Sequence, residues 1–174
     1  MIRSILSSTL SLSLLCAVSA AQANVDVYFS EGAPKDRFII TNQGECDLNA
    51  LTVTFDLSTS QGKLIFDITG SGAGVEVFQP FEVTEGSLGL APGTSVKDGD
   101  STLSVAIKSL KANERASFTI DVDDTLTVSE RGMIIVSGSE VSGGEIELVI
   151  DGGTPIMTTF ADNSRATFST SCGA

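Results

Sequence analysis

The side chains best able to do chemistry in this chain are carboxylates: 22 Asp and Glu stand against 10 Lys and Arg, giving a formal net charge of −12, and there is no histidine. Five acids fall close together, at Asp98, Asp100, Asp121, Asp123 and Asp124. Asp121 and Asp123 would share one face of an extended strand, about 6.6 Å apart, opposite Phe118, Ile120 and Val122. If residues 102–107 and 115–122 pair as a hairpin turning near Lys111, the entry of the first strand lies beside the exit of the second. Asp98 and Asp100 then meet Asp123 and Asp124. Like charges this close repel, and a hard cation with six to eight oxygen ligands relieves them, so calcium is the expected ion. The spacing is not that of an EF-hand loop. The competing reading is a solvated acidic rim that serves solubility.

Other chemistries find less support. Nucleophilic catalysis by serine or cysteine normally draws on a histidine base, which this chain lacks. A glycosidase needs only two carboxyl groups, but Trp is absent and Tyr28 is the one tyrosine, so a sugar-stacking platform would have to come from phenylalanines. Residues 70–74, Gly-Ser-Gly-Ala-Gly, resemble the start of a dinucleotide loop. Val75 stands where the third glycine of G-x-G-x-x-G belongs, and a strand pattern follows instead of a helix, so a loop is expected. No enzyme is expected, and the acidity disfavours nucleic acid and anionic lipid as partners.

The N-terminus reads as an export signal: Arg3, an apolar run over residues 5–18, then Ala21-Gln22-Ala23 as a small-x-small cleavage site. The run is shorter than the about 20 apolar residues of a bilayer span and is rich in serine. Leu15 before Cys16 does not fit a lipobox. Residues 1–23 are therefore expected to be removed, leaving residues 24–174 as one domain, one charge more negative, in the periplasm or outside the cell. No membrane insertion is expected after cleavage. Cys46 and Cys172 remain, and an oxidising compartment favours their pairing. Such a bond would close a long loop, for which chain-entropy estimates give on the order of 4 kcal/mol. The alternatives are two buried thiols, or half a metal site needing two more ligands.

The elements that must position these residues are strands. In residues 51–57, Leu-Thr-Val-Thr-Phe-Asp-Leu, apolar and polar residues alternate strictly. The same period recurs at Leu64/Phe66/Ile68, Leu103/Val105/Ile107, Ala116/Phe118/Ile120/Val122 and Ile146/Leu148/Ile150. Less regular apolar runs cover residues 25–29, 38–40, 75–81, 133–136 and 155–160. Turn formers separate them, among them Asn42-Gln43-Gly44, Asp98-Gly99-Asp100, Gly143-Gly144 and Asp151-Gly152-Gly153. About ten short strands with no helical period after the signal predict an all-β, antiparallel two-sheet sandwich, immunoglobulin-like or jelly-roll-like.

Residues 38–44, Phe-Ile-Ile-Thr-Asn-Gln-Gly, with the alternating run from Leu51, resemble the opening of immunoglobulin-like modules of bacterial surface proteins. Residues 110–120 resemble their later turn and strand, with Ala112-Asn113 where Pro-Gly is usual. More narrowly, residues 25–38, 74–81 and 118–124 resemble small exported bacterial proteins of the aggregation factor core family. That resemblance implies a calcium-dependent adhesive or matrix module acting on a protein or glycan at the cell surface, or on copies of itself. The runner-up expectation is a solute- or glycan-binding module with a pocket near Phe78, Pro80 and Phe81.

Overall fold

The computed structural model describes residues 22–32, 35–74, 78–128 and 135–172. The expected export signal lies outside them except for Gln22 and Ala23, which pair in the first strand. Among the described residues the chain is nearly all β, with two antiparallel sheets of six and five strands. The strands are β1 (Gln22–Ser30), β2 (Asp36–Asn42), β3 (Leu48–Asp56), β4 (Ile65–Asp67), β5 (Glu82–Glu85), β6 (Leu88–Leu90), β7 (Thr102–Leu110), β8 (Arg115–Asp123), β9 (Glu145–Ile150), β10 (Ile156–Thr159) and β11 (Arg165–Ser171). The first sheet runs β11-β1-β2-β8-β4, with β5 also on β8; the second runs β10-β9-β3-β7-β6. The antiparallel sandwich read from the alternation is the fold.

Alternation places the apolar members of each strand inward. Val25, Val27 and Phe29 of β1, Phe38 and Ile40 of β2, Val53 and Phe55 of β3, and Phe118, Ile120 and Val122 of β8 are all buried in one continuous core. Phe38 sits at its middle, with its ring 5.1 Å from Phe29, 4.8 Å from Phe55 and 5.1 Å from Phe118, the last stacked. These offset and tilted pairs suit ring quadrupoles and add to the burial itself.

The expected hairpin between residues 102–107 and 115–122 does not form. β7 and β8 lie in different sheets: β7 pairs with β3 and β6, and β8 with β2, β4 and β5. Each strand has one strongly apolar face, and the two faces meet across the core instead of lying side by side in one sheet. The arch over residues 111–114 turns through Asn113 at φ 62°, a left-handed conformation that asparagine tolerates. The cysteines are joined, with Cα atoms 5.9 Å apart, tying the end of β11 to the turn before β3. Buried Asn42 braces the same turn. Its amide donates to the carbonyls of Cys46 (2.8 Å) and Leu110 (3.0 Å), and its oxygen accepts from Gly44 N–H at 2.9 Å.

Three local expectations change. A one-turn helix, α1 (Gly138–Val141), forms where the sequence shows no helical period, closed by a capping box between Ser137 and Glu140. Of the apolar run 75–81, residues 75–77 lie outside the described residues, and residues 78–81 are not in a strand. Residues 133–134 likewise lie outside, and Ile135 and Val136 are not in a strand.

Candidate functional site

Strand β8 is buried on both faces. Its outward residues Thr119, Asp121 and Asp123 are at most 3% exposed, although the outward face of an antiparallel sandwich is usually wet. The chain after β4 covers this face: the carbonyl of Gln79 accepts from Asp121 N–H at 3.1 Å, and the glycine-rich loop of residues 70–74 lies over the strand end. The loop is legible in the sequence; that it roofs carboxylates is not.

Beneath the loop the β4–β8 ladder sets Asp67 directly opposite Asp121 and Ile65 opposite Asp123. Asp67, Asp121 and Asp123 therefore share one face, while Phe66 and Val122 share the other and point into the core. Asp67 is 1% exposed and lines a cavity of about 170 Å³ formed with the loop. Its Oδ1, and Oδ2 of Asp121, are buried with no hydrogen-bond partner. Gly74, at φ +100°, adopts a conformation that favours glycine, and an added Cβ there would lie 2.5 Å from both Asp67 Oδ2 and Asp123 Oδ2. A single point next to the main chain thus touches two carboxylates.

Two further aspartates hold this arrangement from either side. Asp36 takes over where β2 stops pairing, accepting from Val122 N–H at 3.1 Å and from Gly32 N–H at 3.2 Å. Asp98 accepts from Ile68 N–H at 2.9 Å and from the Thr69 hydroxyl, pinning the chain after β4.

The five acids singled out from the sequence thus divide. Asp121 and Asp123 stand in the row, and Asp98 borders it. Asp100 turns back to accept from Lys97 N–H in its own loop (2.8 Å). Asp124 lies beyond the end of β8 and accepts from Leu126 N–H at 2.9 Å. Asp36 and Asp67 are not among the five. Asp67 has a signal that would find it, as a polar member of the Leu64/Phe66/Ile68 alternation, on the same side of its strand as Asp121 on β8. Asp36 carries no such signal, because it is the strand's end that gives it its role.

The electrostatics follow from burial. Desolvation pushes the Asp36 carboxyl up to about 8 against its two N–H donors, with Asp121 adding to the rise. Desolvation, then Asp123 and Asp67, raises Asp121 to about 7. Asp67 is raised by burial and by Asp98, whereas the Thr69 hydroxyl and Ile68 N–H hold Asp98 below its ordinary range. Between the ordinary 3.8 and about 8, the folded state therefore binds more protons at Asp36 and Asp121 than the unfolded chain does. The stability these groups contribute falls as pH rises through that window and is flat above it. In chelator, urea unfolding is expected to show a lower midpoint at pH 8 than at pH 5; an equal or higher midpoint at pH 8 would contradict this account.

Among the described residues, no group of three or more His, Cys, Asp or Glu side chains is placed so that it could hold a metal ion. The carboxylates form adjacent pairs, and a cation here would complete its shell from main-chain carbonyls and water. The orphaned oxygens of Asp67 and Asp121 beside the glycine cradle are hard donors, and the disulfide removes the only described thiols, so a thiolate zinc site has no ligands among the described residues.

Fold and site together define an acidic, disulfide-closed β-sandwich with a buried carboxylate row at one end of β8. No protein-family model matches the chain, and a search of curated proteins finds no significant match.

Proposed function

We propose that the chain is an exported adhesion or matrix module whose acidic end is stiffened by calcium. The observation that carries the reading is the carboxylate row of Asp67, Asp121 and Asp123. It is buried against expectation and carries oxygens on Asp67 and Asp121 that no donor satisfies. Buried charge without a partner is costly, and a bound cation offsets that cost. Export is supported by the signal-like N-terminus and by the disulfide, a bond suited to an oxidising compartment. Among the described residues, no helix is long and apolar enough to cross a membrane. The adhesive role rests on the resemblance to aggregation factor core proteins.

A ligand that binds only the folded state raises its stability. The oxidised chain from residue 24 is therefore expected to melt several degrees higher in millimolar calcium than in chelator. Beads coated with it are expected to cluster in calcium and disperse when the ion is removed. A melting temperature indifferent to calcium would overturn the stiffening, and beads that never cluster would overturn the adhesive role.

A glycan- or solute-binding role has one observation in its favour. A groove of about 690 Å³ runs between the ends of β3 and β11 and the β9–β10 turn, with Asn49, Asp151 and Thr170 among its polar lining. The site expected near Phe78 and Phe81 has less, since Phe81 packs on Phe118 at 5.0 Å and Phe78 lies against Gly70. Clustering that persists in chelator and is abolished by a soluble sugar would favour this second reading.

A further inference from the structure

We propose that the groove between β11 and the β9–β10 turn binds an extended peptide of a partner protein, added as a strand along the free edge of β11 and carrying an apolar side chain between basic ones. Register puts this groove far from the acidic row. Ser171 lies opposite Gln22, at the end of β1 that leads through Asn42 to Arg115 and the start of β8, whereas Asp121 and Asp123 stand at the finish of β8. The inference is therefore independent of calcium.

An open strand edge is the first observation. Among the described residues β11 pairs with β1 alone, so its other edge presents main-chain N–H and C=O groups to whatever lies beside it. Exposed edges are usually blunted by charge, proline or a bulge. Residues 165–171, Arg-Ala-Thr-Phe-Ser-Thr-Ser, hold a single charge at the far end, no acid and no proline, and the register with β1 is unbroken. Ser169 and Ser171 are small and exposed, which leaves the main chain there within reach.

The second is the groove beside that edge. Its volume of about 690 Å³ falls within the roughly 300–1,000 Å³ of ligand clefts. Leu48, Ile150 and Ile156 give it apolar lining, and the two isoleucines are only partly buried against the core. Side chains of an added strand alternate between faces, so every second one would meet these aliphatics. The described lining holds no aromatic ring on which a sugar could stack, which leaves main-chain pairing and aliphatic burial as the means of recognition.

Charge then selects the occupant. Asp47 and Asp151 line the groove and are exposed, and no Lys or Arg is among its described lining residues. On a chain of net charge −12, such a groove attracts a basic peptide and repels an acidic one. A second copy of the chain fits poorly for the same reason. Its own run of the required kind, Lys-Ser-Leu-Lys at residues 108–111, is held largely within β7.

The test is fluorescence anisotropy in chelator, with the oxidised chain from residue 24 and a labelled, end-blocked peptide Lys-Thr-Ile-Thr-Lys. This peptide is expected to bind, less tightly as salt is raised. Glu-Thr-Ile-Thr-Glu and Lys-Thr-Ser-Thr-Lys are each expected to bind roughly tenfold more weakly or worse. The N–H groups of a strand point alternately to its two edges. Methylating the Ile nitrogen and methylating both Thr nitrogens therefore block opposite edges, and one of the two is expected to abolish binding while the other spares it. I156T is expected to weaken binding roughly tenfold through lost apolar contact. M157T, on the opposite and more exposed face of the same strand, is expected to leave it unchanged. D151N, at a left-handed position that asparagine tolerates, is expected to weaken it roughly two- to fivefold and to flatten the salt dependence. Should I156T fail to fold, D151N and the methylated peptides carry the test. No binding of the lysine peptide, equal loss from both methylations, or equal loss in I156T and M157T overturns the proposal. N-acetylglucosamine titrated alone is expected to give no heat; heat that I156T abolishes, with no peptide binding, overturns the proposal and assigns the groove to a glycan. With chelator present throughout, failure here leaves the calcium-stiffened acidic end standing.

Discussion

Replacing Phe38 with alanine is expected to destabilise the protein by roughly 3–5 kcal/mol, at the upper end of what a single core truncation costs. Phe38 is fully buried on β2, and its ring contacts Phe29 from β1, Phe55 from β3 and Phe118 from β8, with Phe160 beyond at 6.4 Å. Those partners come from both sheets, so the cavity left by truncation would sit between the layers, where collapse requires the sheets to approach. Rigid strand pairing on either side resists that approach, and the transfer and cavity contributions therefore add. Since whole-domain stability is about 5–15 kcal/mol, the variant would lose a large share of it. Equilibrium urea unfolding checks this, through a fall in midpoint with little change in slope. A loss below about 1 kcal/mol would mean that the core repacks freely, contrary to the order of the aromatic cluster.

Removing the disulfide by the double substitution C46S/C172S is expected to cost about 2–5 kcal/mol. The bond spans 126 residues of sequence and so constrains nearly the whole unfolded chain. It also holds a strand that, among the described residues, lies outermost in its sheet: there β11 pairs only with β1, and its end is fastened beside the β2–β3 turn. Without the bond, β11 is expected to fray from Ser171 inward, exposing the edge of β1 as an unpaired strand. Hydrogen exchange should then quicken first at residues 24–26 and 167–171, ahead of β3 and β7. Uniform exchange across both sheets would show that the bond acts through the unfolded chain alone. The serine pair avoids leaving a single reactive thiol, which would confuse the comparison.

These two effects exceed those expected at the acidic end, and the reason is physical. The aromatic core and the disulfide are built into the molecule, whereas the proposed site acquires its stabilisation from an ion in solution. Its contribution therefore depends on calcium concentration and pH. That dependence suits the proposed module, whose stiffness would change on leaving the cell, and it makes the acidic end the place where solution conditions act on the fold.

Much of the architecture follows from period alone. The strict alternation over residues 51–57 can be satisfied only by a strand with one wet and one dry face, and the same holds for residues 116–122, so the sandwich and most of its strands are legible directly. The pairing of Cys46 with Cys172 is legible in the same way, because only two cysteines follow the signal-like segment. Alternation specifies which face of a strand is buried but not which strand it lies against. On that point the spacing predicts β7 and β8 as hairpin partners, and they instead face each other across the core. The acidic end survives this change because an arch between sheets, like a hairpin, returns the chain antiparallel. What changes is the membership. Asp67 joins Asp121 through a ladder between residues far apart in sequence, Asp36 joins because β2 begins at it and leaves Val122 N–H to its carboxylate, and Asp100 and Asp124 turn away into their own loops. Composition and spacing determined that the chain is an acidic β-sandwich. Only tertiary structure decided which carboxylates meet, because side-chain proximity across a sheet is set by strand register, and register is a property of the pair of strands.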